Sequence, residues 1–237
     1  MRLLLIRHGD PDYSHDCLTP LGHVQAQAAA ERLKKKKIVS VFSSTMGRAM
    51  ETAEYTGKAL DLPVIGVDFV REINGNPRDQ AEFEAYCRIP MEERRVLWRE
   101  EYSPWSQGHK TVQAGLPLNC EAPRFARNAC VDHFARVASG LDEWLVGLGY
   151  VREGLYYRVT RSNDDTVALF GHGGSFGGIL GHLLNIAPEA ASMSFGFSLT
   201  GISEIKFSGA VGELTQPTLS MLNDAKHIEN CEITYDV

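Results

Sequence analysis

The sequence predicts an α/β fold, a three-layer α/β/α sandwich with a mostly parallel central sheet and a helical insertion. Two observations carry this. Short continuous apolar runs, Leu3 to Ile6, Ile38 to Phe42 and Thr166 to Phe170, have the length and composition of strands buried on both faces. Stretches of helical character lie between them, as parallel strands require of their crossovers. The first run is followed at once by Arg7, His8 and Gly9. Open α/β sheets gather ligands at the carboxyl ends of their strands, so a cation and an imidazole there, with a glycine to turn the chain, suggest an anion site holding a titratable group.

The 237 residues are enough for one large α/β domain, and residues 1–237 read as a single unit. A net charge of −6 excludes a general nucleic-acid binder, which needs a basic face, so any phosphate site must be local. No apolar stretch is long enough to span a bilayer, and the four-residue apolar start lacks the basic leader of a signal peptide. The cysteines (Cys17, Cys87, Cys120, Cys130 and Cys231) are scattered and odd in number, which favours a reducing cytoplasm over a disulfide framework.

Along the chain, residues 10–18 form a polar loop over the end of the first strand. Thr19 caps a helix whose first residue is Pro20 and which turns Leu21, Val24, Ala28 and Leu33 inward. Lys34 to Lys37 at its end suit the macrodipole and read as solvated. A second strand, Ile38 to Phe42, leads through Ser43-Ser44 to a helix over about 45–60 that bears Arg48. Pro63 to Phe69 is a third strand, with Arg71-Glu72 just beyond it. Residues 74–123 read as a helical insertion or lid. Residues 124–148 form an amphipathic helix with Phe125, Ala129, Phe134, Val137, Leu141 and Leu145 inward. After Tyr156 to Val159 comes the central strand 166–170, then the turn Gly171 to Ser175 and a helix through Leu183. Thr200 to Phe207 is a later strand nearer an edge; beyond Ser208 no element is assigned.

Four of these strands end in groups suited to phosphoryl chemistry: Arg7-His8, Arg48, Glu72 and His172. Phosphoryl transfer needs positive charge around the equatorial oxygens, an in-line nucleophile and an acid for the leaving oxygen. Arg7 and Arg48 supply fork-shaped donors that stay charged. A neutral imidazole is a competent nucleophile, and two guanidiniums beside it lower its pKa. Helices starting after Ser44 and near Gly174 aim N–H groups at the same crevice. The scheme needs no metal and no cofactor, and no HExxH, DxD or CxxC pattern offers a metal site.

The ordered set resembles the histidine phosphatase superfamily, in its phosphoglycerate mutase-like branch. The family's Arg-His-Gly is Arg7-His8-Gly9. Its Leu-Thr-x-x-Gly-x-x-Gln-Ala appears as Leu18, Thr19, Gly22, Gln25 and Ala26. Its Ser-Ser-x-x-x-Arg-Ala-x-Glu-Thr-Ala runs in full from Ser43 to Ala53, and Gly171-His172-Gly173 matches the second histidine. The resemblance implies a phosphohistidine at His8, a phosphate pocket of Arg7, Arg48, His172 and Gly173, and Glu72 as proton donor. Asp10 stands where many relatives carry Glu or Gln and is a second candidate for the acid. Ser14 stands where relatives often place a phosphate-touching Asn.

The activity implied is a metal-independent phosphomonoester hydrolase acting on a small phosphorylated metabolite. A phosphoglycerate-mutase-type phosphotransferase is the alternative; the residues after Glu72 (Ile73, Asn74, Gly75, Asn76, Pro77) do not match the mutase continuation. Substrate choice falls to the insertion, with Arg78, Arg88, Arg94, Arg95 and Trp98 as candidate contacts. Two rivals differ in class. Gly173 to Gly177 matches GxSxG, which makes Ser175 a serine-hydrolase nucleophile, although its only downstream partners, Asp224, His227 and His182, give poor triad geometry. A module that binds a phosphorylated ligand without chemistry uses the same residues.

Overall fold

The computed structural model describes residues 1–73, 129–186, 191 and 194–229. The predicted insertion at 74–123, its candidate contacts and Phe125 lie outside the described residues. In chain order the elements are β1 (Arg2–Arg7), β2 (Pro11–Asp12), β3 (Cys17–Leu18), α1 (Pro20–Leu33), β4 (Ile38–Ser44), α2 (Gly47–Leu60) and β5 (Val64–Val67). A 3-10 turn over Asp68–Val70 follows β5. Then come α3 (Ala129–Leu148), β6 (Tyr150–Glu153), β7 (Tyr156–Val159), β8 (Thr166–Gly171), α4 (Gly173–Leu184), β9 (Ile202–Lys206), β10 (Leu214–Thr215) and β11 (Thr218–Asp224), with a last 3-10 turn over Lys226–Ile228.

The main sheet has the order β11-β9-β1-β8-β4-β5. β1, β8, β4 and β5 pair in parallel, β9 pairs antiparallel to β1, and β11 pairs antiparallel to β9. Period-two alternation along β1 divides the core in two. Leu3 and Leu5 join Val167 and Leu169 of β8, Val137 and Leu141 of α3 and Phe176 and Ile179 of α4. Leu4 and Ile6 join Ala168 and Phe170 of β8, Leu33 of α1 and Ala53 of α2. Helices therefore cover both faces, and the three layers follow from one strand's side-chain parity. β10-β7-β6 form a separate antiparallel sheet. No helix among the described residues is long and apolar enough to cross a membrane.

Several expectations need correction. Val24 is 57% exposed, and the inward face of α1 is instead Gly22, Gln25, Ala26, Ala29, Ala30 and Leu33. Small residues let this helix approach the 9–10 turn: a Cβ on Gly9 would lie 2.7 Å from the Gly22 oxygen, and one on Gly22 2.2 Å from the Asp10 oxygen. β9 lies near an edge as expected, with only β11, an element not assigned from the sequence, pairing outside it. β11 alternates exposed and partly buried residues, and its register shifts weaken the period that would announce it. The third strand stops at Val67, where the chain tightens into the 3-10 turn.

Candidate active site

The carboxyl ends of β1, β8 and β4 meet at the two histidines. The His8 N–H donates to the Gly171 oxygen at 3.0 Å, and the Thr200 N–H donates to the His8 oxygen at 3.2 Å, so the backbone at His8 is fixed from both sides. The rings of His8 and His172 lie 5.1 Å apart between centroids, inclined at 57°. His8 Nδ1 is 2.7 Å from the Gly9 carbonyl oxygen. That oxygen can only accept, so Nδ1 carries the hydrogen and Nε2 keeps its lone pair. Burial is the main cause that lowers the His8 pKa to about 3, with the Arg7 and Arg48 guanidiniums pushing the same way. Desolvation thus outweighs the cation effect anticipated from sequence.

His172 closes β8 and precedes the first turn of α4. It is fully buried, and burial, then His8 and the two guanidiniums, hold its pKa well below the usual histidine value. Its Nε2 lies 2.8 Å from Ser44 Oγ at the end of β4. Its Nδ1 is buried with no hydrogen-bond partner among the described residues.

Glu72 reaches the site from the 3-10 turn after β5. Its Oε1 accepts the N–H of Ile73 at 2.9 Å and of Ser175, in the first turn of α4, at 3.3 Å. A Cβ on Gly174 would stand 2.7 Å from that oxygen, so a side chain there would displace the carboxylate. Burial raises the Glu72 pKa against the opposing pull of these N–H groups and of Arg48 and Arg7. One ligand-type atom from each of His8, Glu72 and His172 lies within 4.8 Å of the others. Three such atoms can hold a cation in principle, but both guanidiniums act on all three groups. That field favours an anion.

Arg7 Nη1 donates to the Phe197 oxygen at 2.7 Å, and its Nε is 3.9 Å from where a Cβ on Gly173 would sit. Arg48, in the first turn of α2, is 4% exposed and ion-paired to Asp16. The rest of the Ser43–Ala53 stretch positions this frame. Thr52 Oγ1 accepts the Gly9 N–H at 3.0 Å and donates to the Arg48 oxygen at 2.7 Å. Glu51 accepts the Leu18 N–H at 2.7 Å, and Ala53 packs in the core.

Other candidates are placed differently. Asp10 accepts the Thr19 hydroxyl at 2.6 Å while its N–H donates to Gln25 at 2.7 Å, which ties it to the start of α1. Ser14 is exposed, its N–H donating to Asp12 at 2.8 Å. Ser175 is fully buried; its hydroxyl donates to the His172 oxygen at 3.1 Å and accepts the His172 N–H at 3.3 Å, so it caps α4 and is not presented as a nucleophile. The N–H groups that α2 and α4 were expected to aim at a ligand include two engaged by carboxylates of the chain itself, Gly47 by Asp16 and Ser175 by Glu72. Asp16 was not singled out from the sequence, where it is one acid among three in the 10–18 loop.

A sequence model of the histidine phosphatase superfamily (branch 1) matches residues 3–115. A probable phosphoglycerate mutase GpmB of Proteus mirabilis is 33% identical over 91 residues, 35% of this chain; the match spans 42% of that relative's length. A 2,3-bisphosphoglycerate-dependent phosphoglycerate mutase of Corynebacterium diphtheriae is 24% identical over 227 residues, 89% of this chain and 88% of its own. The native structure of a mycobacterial glucosyl-3-phosphoglycerate phosphatase superposes with a TM-score of 0.64 at 24% identity, covering 94% of this chain and 98% of that one, and so shares its fold. The sequence match runs through Arg7, His8, Arg48 and Glu72, so residues 3–115 resemble the histidine phosphatase superfamily in sequence, and the chain shares the fold of the mycobacterial phosphatase.

Proposed function

We propose that the chain is a phosphomonoester hydrolase that works through a phosphohistidine on His8 and needs no metal. The observation that carries this reading is the 2.7 Å contact between His8 Nδ1 and the Gly9 oxygen, in a buried hollow shared with His172 and Glu72. It leaves Nε2 unprotonated and free to attack.

In the first step the Nε2 lone pair forms a bond to phosphorus as the bond to the leaving oxygen breaks. The raised pKa of Glu72 suits it to give its proton to that oxygen. Nδ1 keeps its hydrogen on the Gly9 oxygen, which helps the ring carry the positive charge it gains. Arg7 and Arg48 balance charge on the equatorial oxygens. With the Ser44 hydroxyl donating to Nε2 of His172, that ring's hydrogen sits on Nδ1, the atom without a partner in the described protein. It is then a neutral donor to the transferring group. In the second step water attacks phosphorus, the Glu72 carboxylate takes its proton, and the P–N electron pair returns to Nε2. Inorganic phosphate is released.

The substrate in this reading is a small phosphorylated metabolite, chosen by the segment between Ile73 and α3, and the scattered cysteines suit a cytoplasmic setting. The test is phosphate release from p-nitrophenyl phosphate with EDTA present. Wild type should turn over and His8→Ala should fall to background. Turnover that survives in His8→Ala, or that EDTA abolishes, rejects the reading. Tight phosphate binding with no turnover of any phosphoester points to a binding module instead.

A further inference from the structure

We propose that Asp16 is a positioning residue that reserves one edge of Arg48 for the phosphoryl group; this rests on the phosphoryl-transfer reading above. A guanidinium offers a bidentate acceptor two edges, the end formed by Nη1 and Nη2 and the side formed by Nε and Nη2. Asp16 Oδ1 holds Nη1 and so removes the end. Among the described residues Arg48 Nε is buried without a hydrogen-bond partner, and the hydrogen bond of Nη2 is to the Met46 thioether, a weak acceptor, at 3.8 Å. The side edge remains: two parallel N–H donors, spaced for two oxygens of one phosphoryl group.

The carboxylate is itself held in place. Its second oxygen accepts the Gly47 N–H at 2.7 Å, which supplies α2 with the cap that Met46 lacks. Asp16 adopts φ 51°, a left-handed conformation that Asp tolerates better than most residues. A Cβ on Gly47 would lie 2.1 Å from the Asp16 oxygen, so this approach of loop to helix needs glycine. The Tyr13 ring lies 5.3 Å from the Arg48 guanidinium carbon. Glu51 ties down the far end of the loop through the Leu18 N–H. Arg48 is 5% exposed at its side chain and Asp16 41%, so the buried cation is steered by an acid that solvent still reaches.

The experiment is a double-mutant cycle on Asp16→Ala and Arg48→Ala. It reads inhibition by inorganic phosphate and vanadate together with kcat and KM on p-nitrophenyl phosphate, and Asp16→Asn serves as the conservative variant. Asp16→Ala should weaken phosphate and vanadate binding about tenfold, within the range for residues in direct contact. Asp16→Asn, whose amide oxygen still accepts from Nη1, should recover most of that loss. In the Arg48→Ala background Asp16→Ala should change nothing further. Equal effects in both backgrounds, or tighter phosphate binding in Asp16→Ala, overturn the proposal. An Arg48→Ala variant that binds phosphate as well as wild type instead overturns the reading of the whole site. If Asp16→Ala does not fold, Asp16→Ser, too short to reach Nη1, takes its place in the cycle with the same outcomes.

Discussion

Titrating the imidazoles tests the nucleophile without any turnover. With its pKa lowered to about 3, His8 should be only about 3% protonated at pH 4.5, whereas an unperturbed histidine near 6.5 would be about 99% protonated there. The nucleophilic form therefore differs by about a hundredfold between the two cases at that pH. The assay is long-range proton–nitrogen NMR on uniformly labelled protein from pH 8 to 4.5, with His8 assigned by the signals lost in His8→Asn. Across that range His8 should stay neutral, with its hydrogen on Nδ1. The sign for stability follows: the unfolded chain takes up a proton below pH 6.5 that the folded ring refuses, so stability present above 6.5 is lost as pH falls toward 3. A hydrogen on Nε2 refutes the assignment, since it leaves no lone pair aimed at phosphorus, and a His8 midpoint near 6.5 refutes the claim that burial keeps the ring neutral at pH 4.5.

Two substitutions address the acid. Glu72→Gln should slow hydrolysis of an alkyl phosphate by about 10²–10⁴-fold, the usual contribution of a positioned proton donor, while p-nitrophenyl phosphate, whose leaving group needs no proton, loses about tenfold or less in its first step. Burst kinetics on both substrates check this, and equal losses count against Glu72 as the donor. Gly174→Ala puts a methyl group 2.7 Å from Glu72 Oε1 and should reproduce the same selectivity at smaller amplitude, roughly tenfold on the alkyl ester. A Gly174→Ala enzyme with unchanged kcat on alkyl phosphates shows that the carboxylate does not need its present position.

Much of this arrangement was legible in the chain because its signals are local. Thr19-Pro20 opens α1 as read, with the Gly22 N–H donating to Thr19 Oγ1 at 3.1 Å. β1, β4 and β8 announced themselves as apolar runs because helices cover both faces of the sheet. Arg7, His8, Arg48, Glu72 and His172 were placed by where strands end, and the two histidines and Glu72 do converge. What stayed hidden depends on long-range partners. Val24 matched the helical period, yet the face that packs was set by the glycine contact with the 9–10 turn. β6 lacks a clean alternation and β11 buries no residue fully, so neither presents the apolar run of a central strand. Asp16 carries no sequence signature; only its pairing with a helix start 31 residues later distinguishes it from Asp10 and Asp12.

The two helices that begin beside the hollow each donate an N–H to one carboxylate, with different results. A helix N-terminus normally stabilises a carboxylate and lowers its pKa. At α2 the partner is Asp16, ion-paired to Arg48, so the helix start and the acid together orient a guanidinium. At α4 the partner is Glu72, and there the helix start, the Ile73 N–H and two guanidiniums all favour the charged form. The pKa nevertheless rises, because burial opposes them and is the larger effect. Removing part of that burial should therefore lower the Glu72 pKa, since the forces now outweighed all act in one direction. In this geometry the raised pKa of Glu72 is a product of desolvation, and the N–H groups that hold Oε1 set its position more than its acidity.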